Sequence, residues 1–226
     1  MPGCHGENTE PAGRKAVDGR VVGVAIRQRV RPVLKDAGFS EFTDRKAWRR
    51  SEQTIDHVTF RSFTSYIADG VGCTTFSFSV EAGVCYRCLN PKLTRPQDYH
   101  LTFRAVLGKN LRQPVFHPYG RAQASDRPDV WYVAPGGENL DAVVDDAVAS
   151  VQRQGLPFIE HYADPVRAFE SLLSERGKAT EFGAAGIMMP GNPHAPMWHE
   201  AALAIGHLVL DDPRPGIRAA FVLDRE

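Results

Sequence analysis

The residues from Val21 to Tyr86 combine helical and strand periodicity, and this combination restricts the folds open to the chain. Apolar residues recur at every fourth position, which places them on one face of an α-helix: Val22, Ile26, Val30 and Leu34. Farther along, apolar residues occupy every second position, as in a strand with one buried face: Phe76, Phe78, Val80, Ala82 and Val84. Ser77, Ser79 and Glu81 alternate with them. We expect these two apolar faces to pack together at the centre of the core.

The order of elements along the chain predicts an α+β fold. The first helix is expected to bend at Pro32 and to end at Gly38. Strand patterns follow, with "ADGVG" as a flexible link: "RKAWRRS", "TIDHVTFRSF", the strand ending at Tyr86, "YHLTFRAVL", a returning edge strand "LRQPVF", and "DVWYVAP". Strands first and helices afterwards indicate an antiparallel sheet of about five strands with helices packed on one face.

The C-terminal part of the chain predicts three helices. One begins at the N-cap Asn139 and stops at Gly155, and the next begins at Asp164 and ends at Gly177. The segment "MWHEAALAIGHLVLDD" supplies the third. We expect a disordered tail over residues 1–20 and a single α+β domain over residues 21–226.

Composition restricts the location of the protein. Hydrophobic residues make up 42% and charged residues 24% of the chain, which is typical of a soluble globular protein. No apolar run reaches the roughly 18 residues that a membrane helix needs. The first twenty residues contain no apolar core of the kind that a secretion signal requires. A cytoplasmic protein that does not enter the membrane is therefore expected.

Three segments of the chain resemble the bacterial domain-of-unknown-function family 4304: "LKDAGFSEFTDRKAWRR", "QGLPFIEHYADPVRAFESLL" and "HEAALAIGHLVL". The resemblance extends from roughly Val21 to Leu210, and its motifs are structural: a glycine that ends a helix, aromatic residues that fill a core, and a capped helix start. It implies a small cytosolic α+β protein that acts as an interaction protein, for example an immunity protein. It offers no catalytic residues to map onto this sequence.

The cysteines do not form a recognisable metal site. Cys85 and Cys88 make a C-x-x-C pair, and Cys73 lies upstream. Tetrahedral zinc needs four ligands that converge, whereas strand residues three apart point to opposite faces. We expect thiols that are buried or lie at a strand edge, with no bound metal and no cofactor.

The histidines give no catalytic motif either. His199 and Glu200 start a zincin-like pattern, but Leu203 stands where the second histidine is required. His57 alternates with Thr59 and Arg61, which we interpret as the exposed side of a strand. The chain is accordingly not expected to be an enzyme.

Charge distribution suggests two hypotheses for function. The 27 basic and 27 acidic residues balance, which argues against a protein built mainly to hold nucleic acid, but basic residues dominate between Arg87 and Arg127. The first hypothesis is a non-catalytic interaction protein that binds an acidic partner through these residues: Arg104, Lys109, Arg112 and Arg121. The alternative is a nucleic-acid-binding protein or enzyme that uses the basic hairpin 99–121, where Tyr99, Phe116 and Tyr119 supply stacking surfaces. The balanced charge favours the first hypothesis.

Overall fold

The computed structural model describes residues 17–113, 126–174 and 195–209. Its elements in chain order are α1 (Gly19–Asp36), β1 (Glu41–Phe42), β2 (Lys46–Arg50), β3 (Thr54–Ser62), α2 (Ser65–Val71), β4 (Phe78–Tyr86), a 3-10 helix (Asp98–His100), β5 (Phe103–Val106), α3 (Leu140–Ser150), a π-helical turn (Val151–Gly155), α4 (Leu156–Ala163), α5 (Pro165–Ser174) and α6 (Ala195–Val209). The strands form one sheet in the order β1-β2-β3-β4-β5, and each neighbouring pair is antiparallel. The predicted α+β class and order of elements are confirmed.

Helix α1 has the boundaries that its sequence predicts. Asp18 caps its start by accepting hydrogen bonds from two backbone amides, and the helix continues through Pro32. At its end Gly38 adopts a positive φ of 86°, and the amide of Phe39 donates to the carbonyl of Leu34 at 2.9 Å. This arrangement satisfies carbonyls that the last turn would otherwise leave unpaired. The predicted apolar row is buried: Val22, Ile26, Val30 and Leu34.

The core lies between one face of the sheet and the helices. Residues of four strands point into it alongside buried residues of α1, α3, α4, α5 and α6: Ala47, Val58, Phe60, Phe78, Val80, Ala82, Val84, Phe103 and Ala105. The predicted burial of Phe78 and Val80 is confirmed. Phe76 precedes β4 and is only partly buried.

Strand β4 is buried on both faces, so the prediction of a half-buried strand is wrong. All nine residues of Phe78–Tyr86 are buried, and they include Ser79 and Glu81, which alternate with the core residues. The reason is a later segment of the chain, residues 93–102, that lies on the face opposite the helices. Periodicity within β4 cannot report this contact because the covering residues are distant in sequence.

The predicted flexible link "ADGVG" lies largely within helix α2 instead. The side chain of Thr64 caps the start of this helix by accepting from the amide of Ile67. Gly72 ends it in the left-handed conformation, with φ 76°. Both residues are familiar helix boundary signals, so the helix is specified locally.

The predicted strands after β4 are shorter than expected. In "YHLTFRAVL" only Phe103–Val106 is a strand. In "DVWYVAP" only Trp131 pairs, in a single bridge to Phe78. The side chain of Gln113 takes the place of a strand partner there. Its Nε2 donates to the carbonyl of Tyr132 at 2.9 Å, and its Oε1 accepts from the amide of Tyr132 at 3.1 Å. Residues 111–113 of the predicted return strand are not in a strand, and the remainder lies outside the described residues.

Gly155 does not end the helix that starts after Asn139, contrary to prediction. The π-helical turn carries the chain directly into α4. A Cβ on Gly155 would lie 3.1 Å from Leu107 and 3.5 Å from Ala82, so the glycine lets this turn approach the sheet closely. Asn139 occupies the predicted position before α3, but its side chain bonds to the backbone of Tyr132 and Ala134 instead of capping the helix.

The last two helices agree with prediction where they are described. Asp164 caps α5 by accepting from the amide of Val166 at 2.9 Å. Gly177 lies outside the described residues, as do residues 1–16 of the predicted tail, whereas Gly19 and Arg20 already belong to α1. None of the helices within the described residues combines the length and the apolar character needed to cross a membrane.

Two glycines offer a matched test of this packing. A Cβ on Gly83 in β4 would lie 2.5 Å from the carbonyl oxygen of Phe103 and 2.6 Å from Leu101, so one of these neighbours would have to move. We expect Gly83→Ala to lower the free energy of unfolding by about 1–3 kcal/mol, as overpacking does, in a urea titration. Gly70 in α2 has no atom within 4 Å of such a Cβ. Gly70→Ala is therefore expected to stabilise the protein by up to about 1 kcal/mol. Equal effects of the two substitutions would contradict this packing.

Candidate partner-binding face

The face of the sheet opposite the helices, which we call the outer face, carries many polar and charged side chains. Side chains alternate across a strand, so the residues between the core positions of β2–β5 point to this face. The strand registers align them as neighbours: Lys46, Trp48, Arg50, Ile55, His57, Thr59, Arg61, Ser79, Glu81, Gly83, Cys85, Arg104 and Val106.

Residues 93–102, the covering segment, lie across the centre of the outer face. The indole nitrogen of Trp48 donates to the carbonyl of Pro96 at 3.0 Å, and Lys46 bonds to the side chain of Gln97. Apolar residues of the segment join a small cluster with side chains of the outer face: Leu93, Leu101, Trp48, Ile55 and Cys85. The segment therefore buries the middle of a face that would otherwise be open to water.

His57 is buried beneath the covering segment, so its predicted exposed position is wrong. Its ring stacks on Trp48 with centroids 5.4 Å apart, and neither ring nitrogen has a hydrogen-bond partner among the described residues. The pKa of His57 is lowered to about 4, mainly by burial and also by the charge of Lys46, while the charge of Asp98 opposes the change. His57 is thus a neutral ring at pH 7.

Two arginines from different strands converge on the buried carboxylate of Glu81. Nη1 of Arg61 lies 3.8 Å from Oε1 of Glu81 and 3.2 Å from the carboxylate of Asp98. Nη1 of Arg104 lies 3.7 Å from Oε2 of Glu81. Burial raises the pKa of Glu81, and the charges of Arg104 and Arg61 oppose that increase. The Glu81 side chain is only 6% exposed, so the two guanidiniums lie over it towards solvent.

A second pair of arginines meets at Glu41 on the edge strand β1. The guanidiniums of Arg50 and Arg95 each donate to Oε2 of Glu41 at 3.1 Å. The hydrogen bond from Arg50 is the main cause that lowers the pKa of Glu41 to about 2. Arg95 also lies over the ring of Trp48, 5.8 Å from its centroid. We call these four residues the arginine face: Arg50, Arg61, Arg95 and Arg104.

The sequence-predicted basic residues that the structure describes do not share one surface. Arg104 lies on the outer face, and Arg112 is exposed beyond the sheet. The side chain of Lys109 is only 2% exposed, and its ammonium bonds to Asp126 and, at 2.8 Å, to the carbonyl of Val130. The positive charge of Lys109 is therefore paired with Asp126 within the fold. Arg121 lies outside the described residues.

Sequence reasoning missed three members of the arginine face, Arg50, Arg61 and Arg95. Strand alternation assigns Arg50 and Arg61 to the same side of the sheet as Trp48 and His57, and this signal was present in the sequence. The position of Arg95 had no such signal, because it depends on where the covering segment folds.

The three cysteines within the described residues carry protonated thiols at neutral pH. Cys73 and Cys85 are buried and Cys88 is exposed, and all three are free. Burial raises the pKa of Cys73 and of Cys85 to about 11. No group of three or more histidine, cysteine or acidic side chains that could hold a metal ion occurs in the part of the chain that the structure describes. The side chain of His199 lies outside that part.

Comparison with known proteins gives one finding. A family model described as "Domain of unknown function (DUF4304)" matches residues 30–161, more than half of the 226-residue chain. The match includes α1 from Val30 onward, the whole sheet, α3 and most of α4. It includes "LKDAGFSEFTDRKAWRR" in full, only the first part of "QGLPFIEHYADPVRAFESLL", and none of "HEAALAIGHLVL", which lies beyond residue 161. No curated protein and no solved structure is significantly similar to the chain.

Proposed function

Since the chain belongs to the family described as Domain of unknown function (DUF4304), we propose a function from its geometry: it is a non-catalytic interaction protein whose arginine face binds an acidic surface of a protein partner. An immunity-type role is one form of this proposal. The free thiols support a cytoplasmic location, where cysteines stay reduced.

The observation that carries the proposal is the excess of positive charge on the outer face. The basic side chains there are Lys46, Arg50, Arg61, Arg95 and Arg104, whereas the acidic ones beside them are Glu41, Glu81 and Asp98. Each of these acids contacts at least one of the arginines, so the arginines are held in position before a partner arrives. A preorganised surface loses less side-chain entropy on binding.

The composition of the arginine face is typical of a protein interface. Arginine and tyrosine are enriched among the residues that dominate binding energy. Tyr99, in the 3-10 helix of the covering segment, is 71% exposed and directly follows Asp98, the partner of Arg61. The acidic side chains of Glu41, Glu81 and Asp98 lie among the arginines, so an acidic protein surface that also presents some basic groups suits this arrangement better than the uniformly negative backbone of a nucleic acid.

Charge reversal tests the proposal. We expect a fluorescein-labelled oligoglutamate peptide to bind the wild-type protein, and the double substitution Arg61→Glu, Arg95→Glu to weaken binding at least about tenfold, or 1.4 kcal/mol. The measurement is a fluorescence-anisotropy titration at two salt concentrations. Arg153→Glu is the matched control, because Arg153 is exposed on the turn after α3 and does not belong to the arginine face. It should change the affinity less than about twofold, as rim charges do.

A second titration with single-stranded DNA separates the two hypotheses. On the proposed function the DNA should bind only in the weak non-specific range, with a Kd above about 10⁻⁶ M at physiological salt. Tight DNA binding that falls steeply with salt and is lost in the double variant would favour a nucleic-acid-binding protein instead, with Tyr99 as a stacking surface.

A further inference from the structure

The positions of Arg61 and Arg104 around Glu81 define a small anion-binding arrangement within the arginine face. We propose that these two guanidiniums, held from below by Glu81, form a site for a single carboxylate group supplied by an aspartate or glutamate side chain of the partner. This inference rests on the proposed function and names the chemistry of its central contact.

The strand register places the two arginines on opposite sides of Glu81. Glu81 pairs with Thr59 on β3 and with Val106 on β5. Arg61 and Arg104 each lie two residues from those pairing positions, so both are diagonal neighbours of Glu81 on the outer face. One guanidinium approaches each carboxylate oxygen, Arg61 at Oε1 and Arg104 at Oε2. The backbone of three strands therefore fixes where the two charges meet.

Neither arginine exhausts its hydrogen-bonding capacity on Glu81. The separations of 3.7 and 3.8 Å are ion-pair distances but exceed those of hydrogen bonds. Within the described residues Arg104 makes no hydrogen bond, and Arg61 donates one, to Asp98. A guanidinium carries five N–H donors, so most of the donors of this pair have no acceptor among the residues that the structure describes. An external acceptor placed above the pair would meet groups that are already oriented.

The hydrogen-bond donors and the shape of the site favour a carboxylate. The carboxylates of Glu81 and Asp98 offset the charges of the two guanidiniums, and Glu81 is too buried to meet a partner itself, so an incoming carboxylate binds through the guanidinium donors that Glu81 and Asp98 leave unoccupied. A carboxylate presents two coplanar oxygens, which match the fork of a guanidinium.

Charge-preserving substitutions provide the test, because lysine keeps the charge but lacks the planar fork. We expect Arg61→Lys and Arg104→Lys each to weaken binding of the oligoglutamate peptide about five- to tenfold, since a bidentate site does not accept lysine as an equivalent. Arg153→Lys is the matched control, because Arg153 is exposed on the turn after α3 and lies outside the arginine face. It should leave the affinity within about twofold of wild type. In addition, the Nε–H resonances of Arg61 and Arg104 should shift when peptide is added to ¹⁵N-labelled protein.

Each possible result is informative. If both lysine variants bind the peptide as tightly as Arg153→Lys does, the face acts through charge alone and the carboxylate site is wrong, while the proposed function stands. If inorganic phosphate displaces the peptide at a lower concentration than acetate and itself shifts the two arginine resonances more strongly, the site is a phosphate site. If the wild-type protein does not bind the peptide at all, the proposed function itself fails.

Discussion

Replacing Phe78 with alanine is expected to lower the free energy of unfolding by about 3–5 kcal/mol, the range for emptying a buried aromatic position. Phe78 is fully buried at the start of β4. Its ring lies 6.0 Å from that of Trp131 in a nearly parallel stack and 5.9 Å from that of Phe60. The alanine variant loses both ring contacts and leaves a cavity between the sheet and the segment that contains Trp131.

Chemical denaturation followed by tryptophan fluorescence measures this effect. Tyr66→Ala is the matched control, since Tyr66 is 89% exposed and surface substitutions usually change stability by less than about 0.5 kcal/mol. A Phe78→Ala variant as stable as Tyr66→Ala would show that Phe78 does not fill the core.

The free energy of unfolding should fall at acid pH because of the protonation of His57. The folded state holds this ring neutral, with a pKa of about 4 compared with 6.5 when unfolded. The unfolded chain therefore binds the extra proton first as the pH falls. The stability contributed by the neutral ring is complete above pH 6.5 and is lost progressively down to about pH 4. Because one pKa unit corresponds to about 1.4 kcal/mol, the loss should reach about 3 kcal/mol.

The variant His57→Phe isolates this contribution. It retains an aromatic ring against Trp48 but cannot take up a proton. Urea titrations between pH 7 and pH 4 should show the wild type losing about 3 kcal/mol more than the variant. The comparison is needed because Glu81 acts in the opposite direction: its raised pKa means that its ionisation destabilises the folded state as the pH rises. Parallel pH profiles for the two proteins would contradict a buried neutral His57.

Local signals were sufficient for much of this fold. The helical row from Val22 to Leu34 and the glycine at position 38 predicted α1, and the alternation around Trp48 and Phe78 predicted β2 and β4. These patterns arise from the periods of helix and strand, which a single segment can report. The α+β class follows from their order.

The features that the sequence did not predict depend on contacts between distant segments. Ser79 and Glu81 read as solvent-facing because the covering segment that buries them comes later in the chain. Arg104 was identified as a candidate, but its partner Arg61 lies on another strand and is joined to it only through Glu81. Lys109, by contrast, was predicted from the sequence to face a partner, but its ammonium bonds to Asp126 inside the fold. The partner-binding role of Arg104 stays a prediction.

The sequential order of the strands has a consequence for how the protein folds. Each strand of the sheet pairs with the strand that precedes or follows it along the chain, so the sheet can assemble by successive addition with connections of at most 16 residues to close. The helix layer is different, because Arg29 of α1 bonds to Asp141 of α3, 112 residues away. Closing so long a loop costs more chain entropy and slows folding. We therefore expect the sheet to form early and the docking of α1 on α3 to be the late step in folding.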